Sequence, residues 1–149
     1  MRAVVQKVIS SSVTVDDNCK GNIGKGLMVL IGVEDGDSAE DAAYMAEKIV
    51  NLRIFEDDDD KLNLSVLDIG GEILAVSQFT LLADARKGRR PSFVKAAPPE
   101  EANELYLKTI KRIRELGVHV EEGVFRTHMV VNIENDGPVT ILLDSKKNF

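Results

Sequence analysis

An α+β fold is expected, with a barrel-like, largely antiparallel β-sheet and two main helices packed outside it. Three observations predict this. Strand-like stretches outnumber helical ones, only two segments repeat apolar residues at helical spacing, and turn-forming residues separate many of the strands. Residues 2 to 9 and 11 to 15 read as β: Val4 and Val8 share one face, Ala3, Val5 and Ile9 the other, and Val13 and Val15 alternate with Ser12 and Thr14. Asp16 to Gly21 reads as a turn. Gly24-Lys25-Gly26 opens the run Leu27 to Val33, whose lack of alternation predicts a central strand covered on both faces.

Ser38, with Asp41 three residues on, forms a capping box for a helix over about 38 to 51, and Ala42, Met45, Ala46, Ile49 and Val50 supply its apolar stripe. Leu52 to Phe55 reads as a short strand, Glu56 to Asp60 as an acidic turn, and Glu72 to Leu82 as a long apolar strand entered through Gly70-Gly71. Pro98-Pro99-Glu100-Glu101 starts the second helix, which buries Ala102, Leu105, Tyr106, Ile110 and Ile113 and has Gly117 at its C′ position. From Val124 to Glu134, Phe125, Met129, Val131 and Ile133 alternate with Arg126, His128, Asn132 and Glu134. Asn135 to Pro138 then reads as a turn before a last strand, Val139 to Leu143.

The chain has 149 residues with no linker, repeat or low-complexity tract, so residues 1–149 are expected to form a single domain. Its 19 Lys and Arg against 25 Asp and Glu leave a net charge of −6, which excludes a protein that coats nucleic acid through bulk positive charge. The charge is uneven: residues 84–95 hold five cations and one acid, +4, leaving −10 on the other 137 residues. The only cysteine, Cys19, excludes an intramolecular disulfide and a thiolate metal cluster. No apolar run approaches the roughly 20 residues of a spanning helix, and the alternating N-terminus carries no export signal. A soluble, cytoplasmic protein is expected.

Four features bear on chemistry. Arg86-Lys87-Gly88-Arg89-Arg90-Pro91 groups four cations within five residues. Such a loop suits two or three phosphates of a nucleic-acid strand, although a basic loop is also an ordinary solvated surface. In Ser77-Gln78-Phe79-Thr80-Leu81, hydroxyls and an amide adjoin a dense apolar stretch, where they need hydrogen-bonding partners or a cleft. Asn135-Asp136-Gly137-Pro138 is turn chemistry, and Pro138 makes a cis bond possible. The acidic run 56 to 60 lacks calcium-loop spacing, and His119 and His128 are too far apart for a helical zinc pair. No metal and no cofactor are expected.

The chain resembles the D-aminoacyl-tRNA deacylase family from end to end. The resemblance is carried by Met1 to Val8 with Ser11 to Val15, Gly24-Lys25-Gly26-Leu27, Asn51 to Phe55, Ser77-Gln78-Phe79-Thr80-Leu81, Arg90-Pro91-Ser92-Phe93 and Asn135-Asp136-Gly137-Pro138-Val139-Thr140. It implies hydrolysis of the ester between a D-amino acid and the terminal adenosine of tRNA, with Ser77, Gln78, Phe79 and Thr80 as the catalytic segment. It also implies leakage of glycyl-tRNA, and a homodimer in which a cis Gly137-Pro138 reaches the partner's pocket and rejects L-amino acids. Lys7 and Met129 are placed at this gate, and Arg86, Lys87, Arg89 and Arg90 on the tRNA.

Thr80 has no adjacent base, so water placed for attack and aided by the ribose 2′-hydroxyl is expected ahead of a covalent route. Two departures stand out. Lys7 replaces an Arg common among relatives and cannot make the same fork. Arg126-Thr127-His128 stands where relatives carry small residues, and strand parity turns Arg126 and His128 outward, opposite Met129. The alternatives to an enzyme are a noncatalytic RNA-binding module using residues 86 to 90 and a small-molecule-binding oligomer.

Overall fold

The computed structural model describes residues 1–149. Its elements, in order, are β1 (Arg2–Val15), β2 (Asn18–Ile23), β3 (Gly26–Gly32), α1 (Ala39–Asn51), β4 (Phe55–Glu56), β5 (Leu62–Leu64), β6 (Glu72–Ser77), a 3-10 helix (Phe79–Leu82), α2 (Pro99–Glu115), β7 (His119–Glu122) and β8 (Val130–Asp144). The main sheet runs β2-β1-β3-β6-β7, and β8 pairs with β1. β1 is antiparallel to β2, β3 and β8, while β3–β6 and β6–β7 are parallel. Each parallel step carries a helix in its crossover, α1 before β6 and α2 before β7, which is what a parallel connection requires. β2 approaches β6 and β7, with the Gly24 amide donating to Glu72 Oε1 at 3.1 Å, so the sheet is nearly closed.

The expected two helices and barrel-like sheet are present, and several element assignments change. The turn at Asp16 to Gly21 shrinks to Asp16 and Asp17, both at positive φ (49° and 62°), and the chain returns at once as β2. Residues 2–15 form a single strand whose buried side switches partway. Ala3, Val5 and Lys7 are buried, then Val8, Ser11 and Val13, while Ile9 is exposed. The switch coincides with register shifts around Val8 in the pairing with β8. The short strand starts at Phe55 rather than Leu52, and β6 ends at Ser77 rather than Leu82.

β3 is covered on both faces, as its unbroken apolar run predicts. Leu27, Val29 and Ile31 face the main core with α1 and α2, whereas Met28 joins Val8, Val13, Ile23, Leu74 and Val76 in a smaller core. α1 is held at its start by Ser38, whose amide and hydroxyl both donate to Asp41 Oδ2 at 2.8 and 3.1 Å. It buries Ala42, Met45, Ala46, Ile49 and Val50, where each large side chain contributes about 1.5–3 kcal/mol. α2 buries its expected stripe together with Thr109, whose hydroxyl donates to Leu105 O at 2.8 Å.

Candidate active site

A cavity of about 850 Å³ opens where β6 ends, lined by the 3-10 helix, the start of α2 and the segment before β8. It lies beyond the C-terminal ends of the parallel strands β3 and β6, where open α/β sheets place their ligands. The pairing of β3 with β6 finishes at Ile31 and Ser77. Next, the Gln78 amide donates to Ile31 O at 2.8 Å and the chain turns into Phe79–Leu82. Gly32 makes this approach possible, because a Cβ there would sit 2.9 Å from Gln78 O and 2.6 Å from a Leu82 methyl.

Ser77, Gln78, Phe79 and Thr80 all line the cavity. The strand alternation expected for them does not occur, since the backbone leaves the strand after Ser77. Gln78 and Thr80 instead meet, with Gln78 Nε2 donating to Thr80 Oγ1 at 2.9 Å. Behind them the buried Tyr106 donates from its hydroxyl to Ala75 O at 2.9 Å and fastens α2 to β6. Burial pushes that phenol's pKa above its ordinary value, with Glu122 adding to the effect. Tyr106 also packs against Phe125 of the opposite wall, ring centroids 6.3 Å apart.

That wall corrects the expected strand. Residues 125–129 form a turn and an irregular approach to β8, with Arg126 at φ 61° and Thr127 Oγ1 donating to Val124 O at 2.8 Å. Strand parity therefore does not apply, and Arg126, Thr127, His128 and Met129 all line the cavity, as does Phe125. Met129 forms part of that wall. Its sulfur lies where a Cβ on Gly123 would come within 2.7 Å. Arg126 and His128 are not turned away, and no carboxylate is among the lining residues.

Asn135 to Pro138 does not reverse the chain. β8 pairs with β1 on both sides of it, Gln6 opposite Thr140 and Val8 opposite Asn135, so residues 136–139 bulge out opposite Lys7 alone. The Gly137-Pro138 bond is cis. Asn135 closes the base of the bulge, donating from Nδ2 to Lys7 O at 2.9 Å and to Val139 O at 3.0 Å. The side chain of Lys7 is buried, and its ammonium lies 2.5 Å from Glu56 Oε1 and 3.6 Å from Asp136 Oδ2. Its partners are thus carboxylates, and Glu56 is a fixed anchor rather than a freely solvated acid. The hydrogen bond from Lys7 holds the Glu56 carboxyl below its ordinary pKa. Lys7, Gly137 and Pro138 do not line the cavity of their own chain.

The basic segment is a hairpin closed by paired backbone hydrogen bonds between Asp84 and Ser92, 2.8 and 2.9 Å. Arg86 is occupied within it: Nη2 and Nε bond the two Asp84 oxygens at 2.6 and 2.9 Å, which holds the Asp84 carboxyl well below the usual range. Lys87, Arg89 and Arg90 remain exposed. Phe93, one residue beyond the hairpin's closing pair, stacks edge-on against Phe79 with centroids 5.2 Å apart, so the hairpin adjoins the cavity.

Ala96, Ala97 and Pro99 complete the wall without having stood out in the sequence. Their only signal was the Pro98-Pro99 helix start, which fixes where α2 meets the sheet.

The profile of the D-Tyr-tRNA(Tyr) deacylase family matches residues 4–144. The D-aminoacyl-tRNA deacylase of Clostridioides difficile (strain 630) is 61% identical over 149 residues, covering all of both chains. That of Natranaerobius thermophilus is 60% identical, again over the full length of both. A solved structure titled "c-Myc DNA Unwinding Element Binding Protein" is 42% identical with a TM-score of 0.92, covering 97% of this chain and 98% of that one. A second, described as a probable eukaryotic D-amino acid tRNA deacylase, has a TM-score of 0.79 at 20% identity over 95% and 97% of the two chains, and shares the fold. With the match running from β1 through the last strand and the identity full-length, the chain belongs to the D-Tyr-tRNA(Tyr) deacylase family.

Proposed function

We propose that this protein hydrolyses the ester joining a D-amino acid to the 3′-terminal adenosine of tRNA, releasing both. The observation that carries the reading is the position of Ser77-Gln78-Phe79-Thr80 at the end of β6, opening into a carboxylate-free cavity of about 850 Å³. That volume falls within the ~300–1,000 Å³ of small-molecule sites. The first turn of a helix leaves its leading N–H groups without internal partners. The amides of Phe79 and Thr80 are therefore available to the oxyanion that forms when water adds to the ester carbonyl.

One such donor contributes about 10² to 10³ in rate. The carbon–oxygen bond to ribose then breaks, and the ribose oxygen takes up a proton. Thr80 is bonded to Gln78 rather than to a base, which disfavours a covalent route. A neighbouring ribose 2′-hydroxyl serves as the proton carrier.

The working unit in this reading is a cytoplasmic homodimer. The outer edge of β8 is unpaired, and β8 exposes Val130, Ile133 and Leu142. A second copy covering that surface places its 136–139 bulge at this chain's cavity, where Gly137 and Pro138 exclude an L side chain and admit glycine. Lys87, Arg89 and Arg90 then contact the tRNA.

The test is release of amino acid from D-Tyr-tRNA, L-Tyr-tRNA and Gly-tRNA, with sedimentation to read the oligomeric state. D-selective release supports the reading, and equal release of the D and L esters, or none, defeats it.

A further inference from the structure

We propose that Arg126 is a phosphate-binding residue at the cavity rim, engaging the phosphodiester on the 5′ side of the terminal nucleoside. The proposal deepens the deacylase reading and rests on it for the seating of that nucleoside. Arg126 lines the same cavity as Ser77 to Thr80 but on the segment between β7 and β8, across from the end of β6. It is exposed, and none of the chain's ion pairs includes it. In a chain with 25 carboxylate side chains against 19 Lys and Arg, a guanidinium facing a cavity without a carboxylate has its donors free for an anion from outside. The planar fork matches a phosphodiester's two free oxygens.

Its backbone supports the same assignment. Arg126 is held at φ 61°, a region few non-glycine residues occupy, and the turn is fixed by Thr127, which bonds Val124 O through both its amide and its hydroxyl. An ester carbonyl at the Phe79 and Thr80 amides puts the nucleoside across the cavity. The proposal places its 5′ oxygen, and the first phosphate, on the Arg126 side of that cavity. The basic hairpin adjoins the cavity through Phe93 and Phe79 and serves phosphates farther along the strand.

The experiment measures binding, independent of cleavage. Adenosine and the dinucleotide CpA, which adds a cytidine joined through one phosphodiester, are titrated into the full-length protein and into Arg126→Gly and Arg126→Lys by calorimetry, the variants isolating the phosphate's share. Glycine adopts positive φ readily, so the first variant keeps the turn. The wild type is expected to bind CpA roughly tenfold more tightly than adenosine, with Arg126→Gly losing that preference and Arg126→Lys keeping part of it. The salt dependence of CpA binding becomes shallower by about one unit in Arg126→Gly. A wild type that does not prefer CpA, or a glycine variant that keeps the preference, overturns the proposal. Cleavage of D-Tyr-CpA by the wild type is scored separately. If the Arg126-dependent preference is present without cleavage, the deacylase reading fails and the phosphate site stands. If the ester is cleaved and the preference does not depend on Arg126, the site fails alone.

Discussion

The Lys7 ammonium, buried in the middle of β1, lies 2.5 Å from Glu56 Oε1 at the end of β4 and 3.6 Å from Asp136 of the β8 bulge. One cation thus ties three segments together. Removing Glu56 leaves a buried charge short of a partner, whereas replacing Lys7 by an apolar residue frees two half-exposed carboxylates into water. Glu56→Gln is therefore expected to lower the melting temperature, and Lys7→Met to stay within about 1 kcal/mol of wild type. If the bulge gates the partner's pocket as proposed, Lys7→Met, which removes its tie to Asp136, should raise release of L-Tyr from tRNA relative to D-Tyr. A large stability loss in Lys7→Met alone would refute this division of roles.

The same pair sets an acid dependence. Because the Glu56 carboxyl is held below its ordinary value of 4.5, its contribution is fully present above that pH and is lost as pH falls through the lowered value. Thermal melts between pH 7 and 3 should show a destabilisation on acidification that is smaller in Glu56→Gln.

Tyr106 sets an alkaline counterpart. Its hydroxyl bonds Ala75 O inside the core and its pKa is raised by burial, so the folded state favours the protonated phenol. That stability is complete below the ordinary value of 10.0 and is lost as pH rises through the raised one. Tyr106→Phe should cost about 1 kcal/mol at neutral pH and remove this alkaline limb in denaturant titrations.

Gly32 is where β3 admits the backbone of the segment proposed to carry the chemistry. In Gly32→Ala the added methyl meets Gln78 O and Leu82, and overpacking of this kind costs about 1–3 kcal/mol. Because the displaced atoms belong to the segment carrying Phe79 and Thr80, D-Tyr-tRNA hydrolysis should fall by more than the unfolded fraction explains, as activity and circular dichroism measured on one sample will show.

Thr80→Val separates the two chemistries. If backbone amides and water do the work, deacylation persists within about a hundredfold of wild type, since the hydroxyl is not the attacking group. Single-turnover loss of all measurable cleavage would make Thr80 the nucleophile.

What could be read from the sequence, and what could not, follows from the range of the interactions. β3, α1 and α2 were legible because Leu27 to Ile31 and the two helical stripes record burial directly. β2 and β7 were not: Asn18 to Ile23 and His119 to Glu122 carry few apolar residues, and they become strands by completing ladders with β1 and β6. The alternation around Phe125 to Met129 imitated a strand, yet Arg126 at positive φ breaks it. Asn135 to Pro138 are turn-forming residue types, but only long-range pairing with β1 makes them a bulge rather than a reversal. Ser77 to Thr80 and Met129 line one cavity. The carboxylate partners of Lys7 come from distant segments and left no local trace.

In the proposed reading, the basic hairpin also sets how the tRNA approaches the protein. With +4 on residues 84–95 and −10 elsewhere, the body of the molecule repels a nucleic-acid strand from most directions and admits it at one. The asymmetry orients the strand's approach, and association through the hairpin should slow as ionic strength rises.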